Sequence, residues 1–518
     1  MVYILWQATQ LDQADLIQTF QRLKVVELVW QTFLLATFAT AWAILLAAPW
    51  AWLVARTDVP GRTFFRLLGP LPLAVPPYVG ALAYAALLTP GGILHTFLAQ
   101  QAGVKTFQHP FPDLIHGLGG SAFVLGIFTS PYIFSNIYSA LQRLDPSLEE
   151  AARSLGYGPW RVFWRVTFPM MRPALTAGGL LVFLYAWVDF GVVSLLRLST
   201  FTTVIYNYLL AGFNLAASAG LCLLLMAVVW LVLLGQRYAL GKAHYSQARS
   251  QPPVIIKLGI WRWFGLAFLV LAVTLTLVLP LGVLLYQVLR FSSFQAFINF
   301  LIAQLGYTGN TLLLALGSAT LLIILTGVVG RLLWRKPRDR SARFTENVLQ
   351  AGYAIPGTVL GLSLVGLSIN LFPALYGTPF VVLFAYVVLF AAPALQSVKA
   401  ALAGISPTLE EAAQSLGDGP LRTSLRVTIP LAWPGLVGSW LLVFMLSLRE
   451  LAATLIVRPP GYDTLAVRIW VHTSDVGPDP GSAVVALLLI AVAGLSWILI
   501  LFMGKLQVRG FHGTTRPK

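Results

Sequence analysis

The chain has 518 residues, of which 58% are hydrophobic and 10% are charged, with a mean hydropathy of +0.80 and a formal net charge of +16. A soluble domain carries about a quarter charged residues, so this composition excludes an ordinary soluble protein and predicts an all-α integral membrane protein. The positive charge does not indicate nucleic acid as a partner, because Lys and Arg lie mainly in short segments between apolar runs, the positive-inside pattern of proteins embedded in lipid.

Apolar runs of about 20 residues predict eleven spanning helices, and a short N-terminal stub gives a total of 11–12. In the first half the runs lie at about 29–54, 67–88, 121–140, 174–196 and 216–239. In the second half they lie at about 264–289, 311–333, 348–371, 379–402, 435–457 and 483–506. Met1–Trp6 is similar only to the end of the run at 264–289, from which we expect the first half to lack most of its first helix.

These runs divide the chain into three expected parts. The first is a transmembrane domain over 1–240, the second is a linker over 241–262, and the third is a second transmembrane domain over 263–518. Basic residues gather on one side of the predicted spans, together with the linker and the C-terminus. The positive-inside rule makes that side cytoplasmic, so we expect a multi-pass protein of the cytoplasmic (inner) membrane.

A 30-residue polar segment occurs twice, and it lies on this cytoplasmic side. We call Pro146–Leu175 the first loop and Pro407–Leu436 the second loop; Glu149 matches Glu410, 261 residues later. More than half of the paired positions are identical without a gap, which indicates an internal duplication.

The residues of each loop predict a short helix, a sharp turn and a second helix. Asp145 and Ser406 are expected to cap the first helix, and Gly156 and Gly417 to end it. Pro169 and Pro430 are expected to break the chain again before the next apolar run. Glu149, Glu150, Glu410 and Glu411 lie in the first turns, where the helix dipole favours negative charge.

Each loop resembles the cytoplasmic "EAA" loop of ATP-binding-cassette (ABC) importer permeases. The resemblance rests on Glu-Ala-Ala, a glycine and a final proline at fixed spacing: Glu150, Ala151, Ala152, Gly156 and Pro169, then Glu411, Ala412, Ala413, Gly417 and Pro430. It implies two tandem MetI-like (type I importer) transmembrane domains fused in one polypeptide. It also implies that each loop couples to a separate ATPase subunit, so that two ATPase copies are partners, and that an extracytoplasmic binding protein delivers the cargo.

The chain itself is not expected to be an enzyme. It contains no G-x-x-x-x-G-K-[ST] phosphate-binding loop, so ATP and Mg²⁺ are expected on the partner ATPase and no cofactor on this chain. Its six histidines form no metal-binding pair at helical spacing, and Cys222 is its single cysteine, so no metal or nucleophilic site is predicted.

Two acids and two proline-broken runs are candidates for the translocation path or its gate. Asp189 and Glu450 lie in matching spans, and charge at membrane depth normally faces the interior of a helix bundle or water. The alternative is a buried ion pair between Arg449 and Asp189 that holds the halves together. Pro76 with Tyr78, and Pro356, mark broken helices that either line a substrate path or are simple packing kinks.

The segments around Asp189 and Glu450 are most similar to those of the ferric-iron uptake group of fused permeases. The resemblance therefore implies a permease that moves iron(III). Thiamine, phosphonate, sulfate and polyamine permeases share the loop, so these cargoes stay open. An ion-coupled secondary transporter is the more distant alternative; it explains duplicated halves and membrane acids but gives the two loops no role.

Overall fold

The computed structural model describes residue 6 and residues 24–106, 110–212, 215–240, 255–336, 338–353 and 355–512. Apart from Trp6, the predicted N-terminal stub lies outside the described residues, as do linker residues 241–254. Secondary structure in the described ranges is helical except for one isolated β-bridge between Thr57 and Ile256. The prediction of an all-α protein is therefore confirmed.

Tertiary contacts divide the described chain into two compact units. The first unit holds the described residues between 24 and 293 together with His472–Val484, and the second holds Phe294–Val471 and the described residues from Val485 onward. The domain boundaries predicted from the repeat stay a prediction, since duplication in sequence and compactness in space are different properties.

Within residues 24–288, leaving out the gaps given above, the structure shows thirteen α-helices. They are α1 (Val25–Arg56), α2 (Arg62–Leu68), α3 (Pro77–Leu88), α4 (Ile93–Gln101), α5 (Leu118–Arg143), α6 (Pro146–Ser154), α7 (Pro159–Val162), α8 (Phe168–Val188), α9 (Gly191–Leu195), α10 (Phe201–Gly212), α11 (Leu215–Leu240), α12 (Trp261–Val273) and α13 (Leu279–Val288).

Eleven further α-helices follow. They are α14 (Phe294–Ala303), α15 (Leu305–Arg335), α16 (Arg340–Tyr353), α17 (Gly357–Leu371), α18 (Pro379–Ala403), α19 (Pro407–Ser415), α20 (Pro420–Thr423), α21 (Ile429–Leu448), α22 (Ala452–Val457), α23 (Leu465–Val476) and α24 (Pro480–His512). Three π-helical turns join α7 to α8, α12 to α13 and α20 to α21, over Phe163–Thr167, Thr274–Val278 and Ser424–Thr428.

Eight helical stretches among the described residues are long and apolar enough to cross a membrane. Three shorter apolar helices, Ser218–Val232, Gly357–Leu371 and Pro480–Ser496, occupy the remaining positions of the predicted series. The predicted number of apolar segments therefore agrees with the described structure. Two of the three shorter stretches belong to the longer helices α11 and α24, whereas α17 has 15 residues and is shorter than a full span.

Four of the predicted runs are interrupted rather than continuous helices. Pro76 and Pro356 adopt extended backbone immediately before α3 and α17, because a proline cannot continue the hydrogen bonding of the turn before it. Asp189 has extended backbone between α8 and α9, and residues 449–451, which include Glu450, separate α21 from α22. The breaks within the runs at 174–196 and 435–457 were not predicted, and both place an acidic residue at a helix terminus.

Small residues let the long helices pack closely in each unit. α1 packs against α5 and α8 in the first unit, and α15 against α18 and α21 in the second. A Cβ atom added at Gly178 of α8 would lie 2.8 Å from the Cα atom of Ile133, and one at Gly435 of α21 would lie 2.5 Å from the Cβ atom of Ala401. Close backbone approach of this kind is a principal source of helix association where both solvent and side chains are apolar.

The helix that follows the linker packs within the first unit. The Tyr84 hydroxyl of α3 donates to the Leu275 carbonyl oxygen at 2.8 Å. The end of the linker pairs with the end of α1, since the Ile256 amide donates to the Arg56 carbonyl oxygen at 2.7 Å. Asp58 fixes the same segment by accepting from the Leu258 amide at 2.8 Å. The end of α1 is therefore bound on one side by the linker.

Candidate functional site

The short helix of each loop begins and ends as its sequence predicts. Asp145 accepts from the Ser147 amide at 2.9 Å, and Ser406 accepts from the Thr408 amide at 3.4 Å. Gly156 and Gly417 end the helices with φ of +83° and +95°. In both copies the amide after this glycine donates to the carbonyl five residues earlier, at 3.2 Å, which is the Schellman arrangement.

The prediction that Pro169 and Pro430 break the chain is wrong. The helix continues through both prolines, because a π turn precedes each of them and its wider hydrogen bonding accommodates the missing proline N–H. The Phe168 amide donates to Phe163 O, and the Ile429 amide donates to Ser424 O. The loop is therefore joined to the following span by continuous helix, with one wide turn at the junction.

In the first loop, Glu149 is the centre of a buried cluster that joins three elements. Glu149 lies on α6 and is 2% exposed. Its Oε1 accepts from Nη2 of the fully buried Arg56, the last residue of α1, and from the Thr167 hydroxyl of the π turn at 2.7 Å. We call Arg56, Glu149 and Thr167 the first clamp. It ties the short helix both to the preceding span and to the following one.

The second loop has an equivalent cluster with different basic residues. Glu410 is 1% exposed, and its Oε1 accepts from the Thr428 hydroxyl. Nη2 of Arg331 lies 3.2 Å from the same oxygen, and Nε of Arg335 lies 3.5 Å from Oε2. Both arginines belong to α15 and are partly exposed. We call Glu410, Thr428 and the two arginines the second clamp.

The other face of each short helix is open. Helical periodicity turns Glu149 and Ala152 inward, while Glu150 and Ala151 are exposed. Glu411 and Ala412 are exposed and Ala413 is half-buried in the second copy. Two leucines repeat on this open face: Leu148 with Leu409, and Leu155 with Leu416, the latter two being 76% and 90% exposed. Exposed leucines beside an exposed carboxylate form a surface suited to docking another protein.

Alanine at Gly156 and Gly417 should be destabilising, because an L-residue with left-handed backbone costs about 1–2 kcal/mol. An added Cβ meets no atom within 4 Å at either position, so the cost is conformational rather than steric. Gly158→Ala and Gly419→Ala are matched controls, since neither has positive φ and both are open. Thermal unfolding of the purified variants should show a lower Tm for Gly156→Ala and Gly417→Ala only. Equal Tm values for all four variants would contradict the role of the turn.

The two membrane acids cap short helices at the interruptions described above. Oδ2 of Asp189 accepts from the Val192 amide at 2.9 Å and from the Val193 amide at 3.4 Å, at the start of α9. Oε1 of Glu450 accepts from the Ala453 amide at 2.9 Å, at the start of α22. Capping therefore accounts for an acid at each break, and the role of these acids in the path stays a prediction.

The proline breaks lie beside these caps within each unit. α3, which follows Pro76, packs against α9, and α17, which follows Pro356, packs against α22. A Cβ atom added at Gly357 would lie 3.0 Å from Oε1 of Glu450. Tyr78 is buried, in the first turn of α3. The candidate residues thus form one group in each unit, because the helices next to them pack together. The group of the first unit is Pro76, Tyr78 and Asp189, and the group of the second unit is Pro356, Arg449 and Glu450.

The arginines and threonines of the clamps were not among the functional residues predicted from the sequence. Arg56, Arg331 and Arg335 were recognised only as members of the basic side, because their carboxylate partners are 75 to 93 residues away in sequence. Thr167 and Thr428 did carry a signal, since they are identical residues at matching positions of the repeat. A hydroxyl repeated at matching positions of the two copies is the feature that identifies them.

Residues 39–242 and 319–509 each match the sequence model of the family described as "Binding-protein-dependent transport system inner membrane component". The chain is 28% identical over 507 residues to the Fe(3+)-transport system permease protein FbpB 2 of Haemophilus influenzae, covering 96% of this chain and 94% of the relative. It is 26% identical to the ferric transport system permease protein FbpB of Actinobacillus pleuropneumoniae, over 78% of this chain and 61% of the relative. It is also 33% identical to the sulfate transport system permease protein CysW of a Synechocystis strain, over 35% of this chain and 66% of the relative.

Proposed function

Because the chain belongs to the family of inner-membrane components of binding-protein-dependent transport systems, we propose that it is the fused permease subunit of an ABC importer for ferric iron. The observation that carries the choice of iron is the match to an Fe(3+)-transport permease along nearly the whole length of both chains. The sulfate relative matches only about a third of this chain, so it supports the family rather than the cargo. Family membership also argues against the alternative of an ion-coupled secondary transporter.

The two loops are the surfaces on which the ATPase acts in this proposal. Each presents a short helix with an open leucine pair and an exposed glutamate, Glu150 or Glu411. Each helix is also tied to its spans by a buried clamp. A helix that is held in this way transmits a displacement of its outer face to the membrane segments instead of moving independently. Two such loops accommodate two copies of an ATPase subunit.

The chain then supplies the passage and its partners supply the energy and the cargo. ATP and Mg²⁺ are bound by the ATPase subunits, and an extracytoplasmic binding protein delivers iron(III). The loops and the C-terminus lie on the cytoplasmic side, as the basic residues at the ends of α1 and α15 favour. Membrane lipid surrounds the exposed apolar faces of the long helices.

Reconstitution with the candidate ATPase and binding protein in liposomes tests this function. Uptake of radioactive iron(III) should require ATP on the side of the membrane to which the ATPase subunits are bound. A proton or sodium gradient without ATP should not drive it. Charge reversal by Glu150→Lys with Glu411→Lys should lower ATP-driven uptake about tenfold or more, which corresponds to a loss of about 1.4 kcal/mol at the docking surface.

Glu27→Lys is the matched control for this charge reversal, since Glu27 is exposed at the start of α1 and lies outside both loops. It should leave uptake unchanged. Gradient-driven uptake without ATP, or full uptake by the Glu150→Lys and Glu411→Lys variant, would contradict the proposed coupling. Sulfate uptake in place of iron uptake would contradict the proposed cargo alone.

A further inference from the structure

The two loops have the same secondary structure but different net charge. Pro146–Leu175 contains four arginines and two glutamates, whereas Pro407–Leu436 contains two arginines and three carboxylates. The formal charges are therefore +2 and −1. With the clamp arginines Arg56, Arg331 and Arg335 included, they become +3 and +1, so the first loop stays the more positive.

The arginines of the first loop are exposed and have no carboxylate partner within the described part of the chain. They are Arg153, Arg161, Arg165 and Arg172. Arg165 contacts a neutral residue, with Nη1 3.3 Å from the Tyr157 hydroxyl and its guanidinium carbon 5.4 Å from the centre of that ring. Arg172 lies over the Phe168 ring at 5.3 Å. These contacts orient the side chains and leave their charge unneutralised.

The second loop neutralises its arginines internally. Asp418 stands at the position of Tyr157, with Oδ1 3.5 Å from Nε of Arg422 and 3.8 Å from Nη1 of Arg426. Gln414 stands at the position of Arg153, and its Oε1 accepts from Nη2 of Arg335 at 2.8 Å. The same scaffold therefore presents an excess of cations in the first copy and locally paired charges in the second.

Resting on the proposed function, we propose that the arginines of the first loop dock against carboxylates in the groove of its ATPase subunit, at a place separate from the contact of Glu150, whereas the second loop docks mainly through its apolar residues. Removing an unpaired guanidinium from water is costly unless the partner supplies an acceptor, so the arginines of the first loop favour an acidic partner surface. Arg422 and Arg426 already have an acceptor within the loop, the Asp418 carboxylate. The two contacts consequently differ in their response to ionic strength, even when both ATPase copies are identical.

Single cysteines at matching, exposed positions test this difference. Ser154→Cys and Ser415→Cys each replace the last residue of a short helix, in a Cys222→Ala background that removes the chain's only native thiol. Cross-linking to the ATPase in the reconstituted complex is measured while salt rises from 0.05 to 0.5 M, which shortens the screening length severalfold. Cross-linking at position 154 should fall about fivefold, and cross-linking at 415 should change less than about twofold.

Exchange of the differing residues supplies the matched controls. Arg153→Gln with Tyr157→Asp gives the first loop the chemistry of the second, and should remove the salt dependence at position 154. Gln414→Arg with Asp418→Tyr should create salt dependence at position 415. Equal salt dependence at the two positions in the unexchanged chain would overturn the inference.

The outcomes separate this inference from the proposed function. If neither cysteine cross-links to the ATPase at any salt concentration, the coupling function itself fails. If both cross-link with the same salt response, the function stands and the asymmetry fails. If position 154 responds to salt only in bilayers with anionic lipid, and not in phosphatidylcholine alone, the arginines bind lipid headgroups, and the acidic groove is contradicted.

Discussion

Arg56→Ala is expected to lower the free energy of unfolding of the first unit by about 3–5 kcal/mol, the usual cost of removing one partner of a buried ion pair. Glu149, which is 2% exposed in the intact protein, would lose its cation, and among the described residues the Thr167 hydroxyl is its remaining side-chain donor. Because this carboxylate joins α1, α6 and the π turn, ATP-driven uptake should fall together with stability.

Arg331→Ala is the internal control, because Glu410 keeps Arg335 and both arginines are partly exposed. Its cost should be about 1 kcal/mol or less, because the removed guanidinium is partly exposed and the buried Glu410 still has a cationic partner. Thermal unfolding of each purified variant gives the comparison. A Tm decrease of the same size in Arg56→Ala and Arg331→Ala would show that burial does not distinguish the clamps.

A double variant of the first clamp separates its effect on stability from its effect on coupling. Replacing both buried partners with apolar residues, Arg56→Met with Glu149→Leu, should recover most of the lost stability, because no charge is left unpaired in the interior. The Thr167 contact to α6 would still be lost. We therefore expect near-normal Tm but reduced iron uptake per ATP hydrolysed. Recovery of both Tm and uptake would limit the clamp to a folding role.

Asp189→Asn combined with Glu450→Gln is expected to reduce iron uptake about tenfold or more while leaving ATPase binding intact. The reason is that these substitutions remove negative charge and retain the oxygen that accepts from the Val192 or Ala453 amide. Asparagine caps helices about as well as aspartate, and glutamine keeps the length and the acceptor oxygen of Glu450, so the short helices α9 and α22 should still form. A loss of uptake would then show that transport requires the negative charge. Charge at membrane depth is energetically costly and is usually functional where it occurs.

Alanine at the same two positions provides the comparison. Asp189→Ala with Glu450→Ala removes both charge and cap, and each lost cap should cost about 1 kcal/mol. Uptake and Tm are measured for both double variants. Normal uptake in the Asn and Gln variant with reduced uptake in the alanine variant would assign the acids to capping. It would remove them from the proposed path.

The local geometry of the loops was predictable because it depends on neighbours in sequence. The caps at Asp145 and Ser406 and the turns at Gly156 and Gly417 are all confirmed, since each rests on contacts within about six residues. The break at Pro169 was wrong for a related reason. A missing N–H is a local fact, but whether the chain breaks or widens into a π turn depends on the packing around it.

The interruptions at Asp189 and Glu450 show a second limit. Hydropathy treats 174–196 and 435–457 as continuous spans, because an acid contributes only one unfavourable residue to a long apolar window. In the structure each acid caps a new short helix, so a residue that looks costly in the span has its own hydrogen-bond donors there. Hydropathy sums over a window, whereas capping depends on the direction of one side chain.

The sequence by itself determined that the chain is an all-helical membrane protein, that it is duplicated, and that each copy carries a capped loop with two adjacent glutamates, one of which is buried in the structure and the other exposed. Only the tertiary structure decided which glutamate is which. Glu149 and Glu410 face inward because Arg56, Arg331 and Arg335 reach them from helices that end far away in sequence. The ion pairs that fix a loop to its spans are long-range contacts, and no periodicity along the chain encodes them.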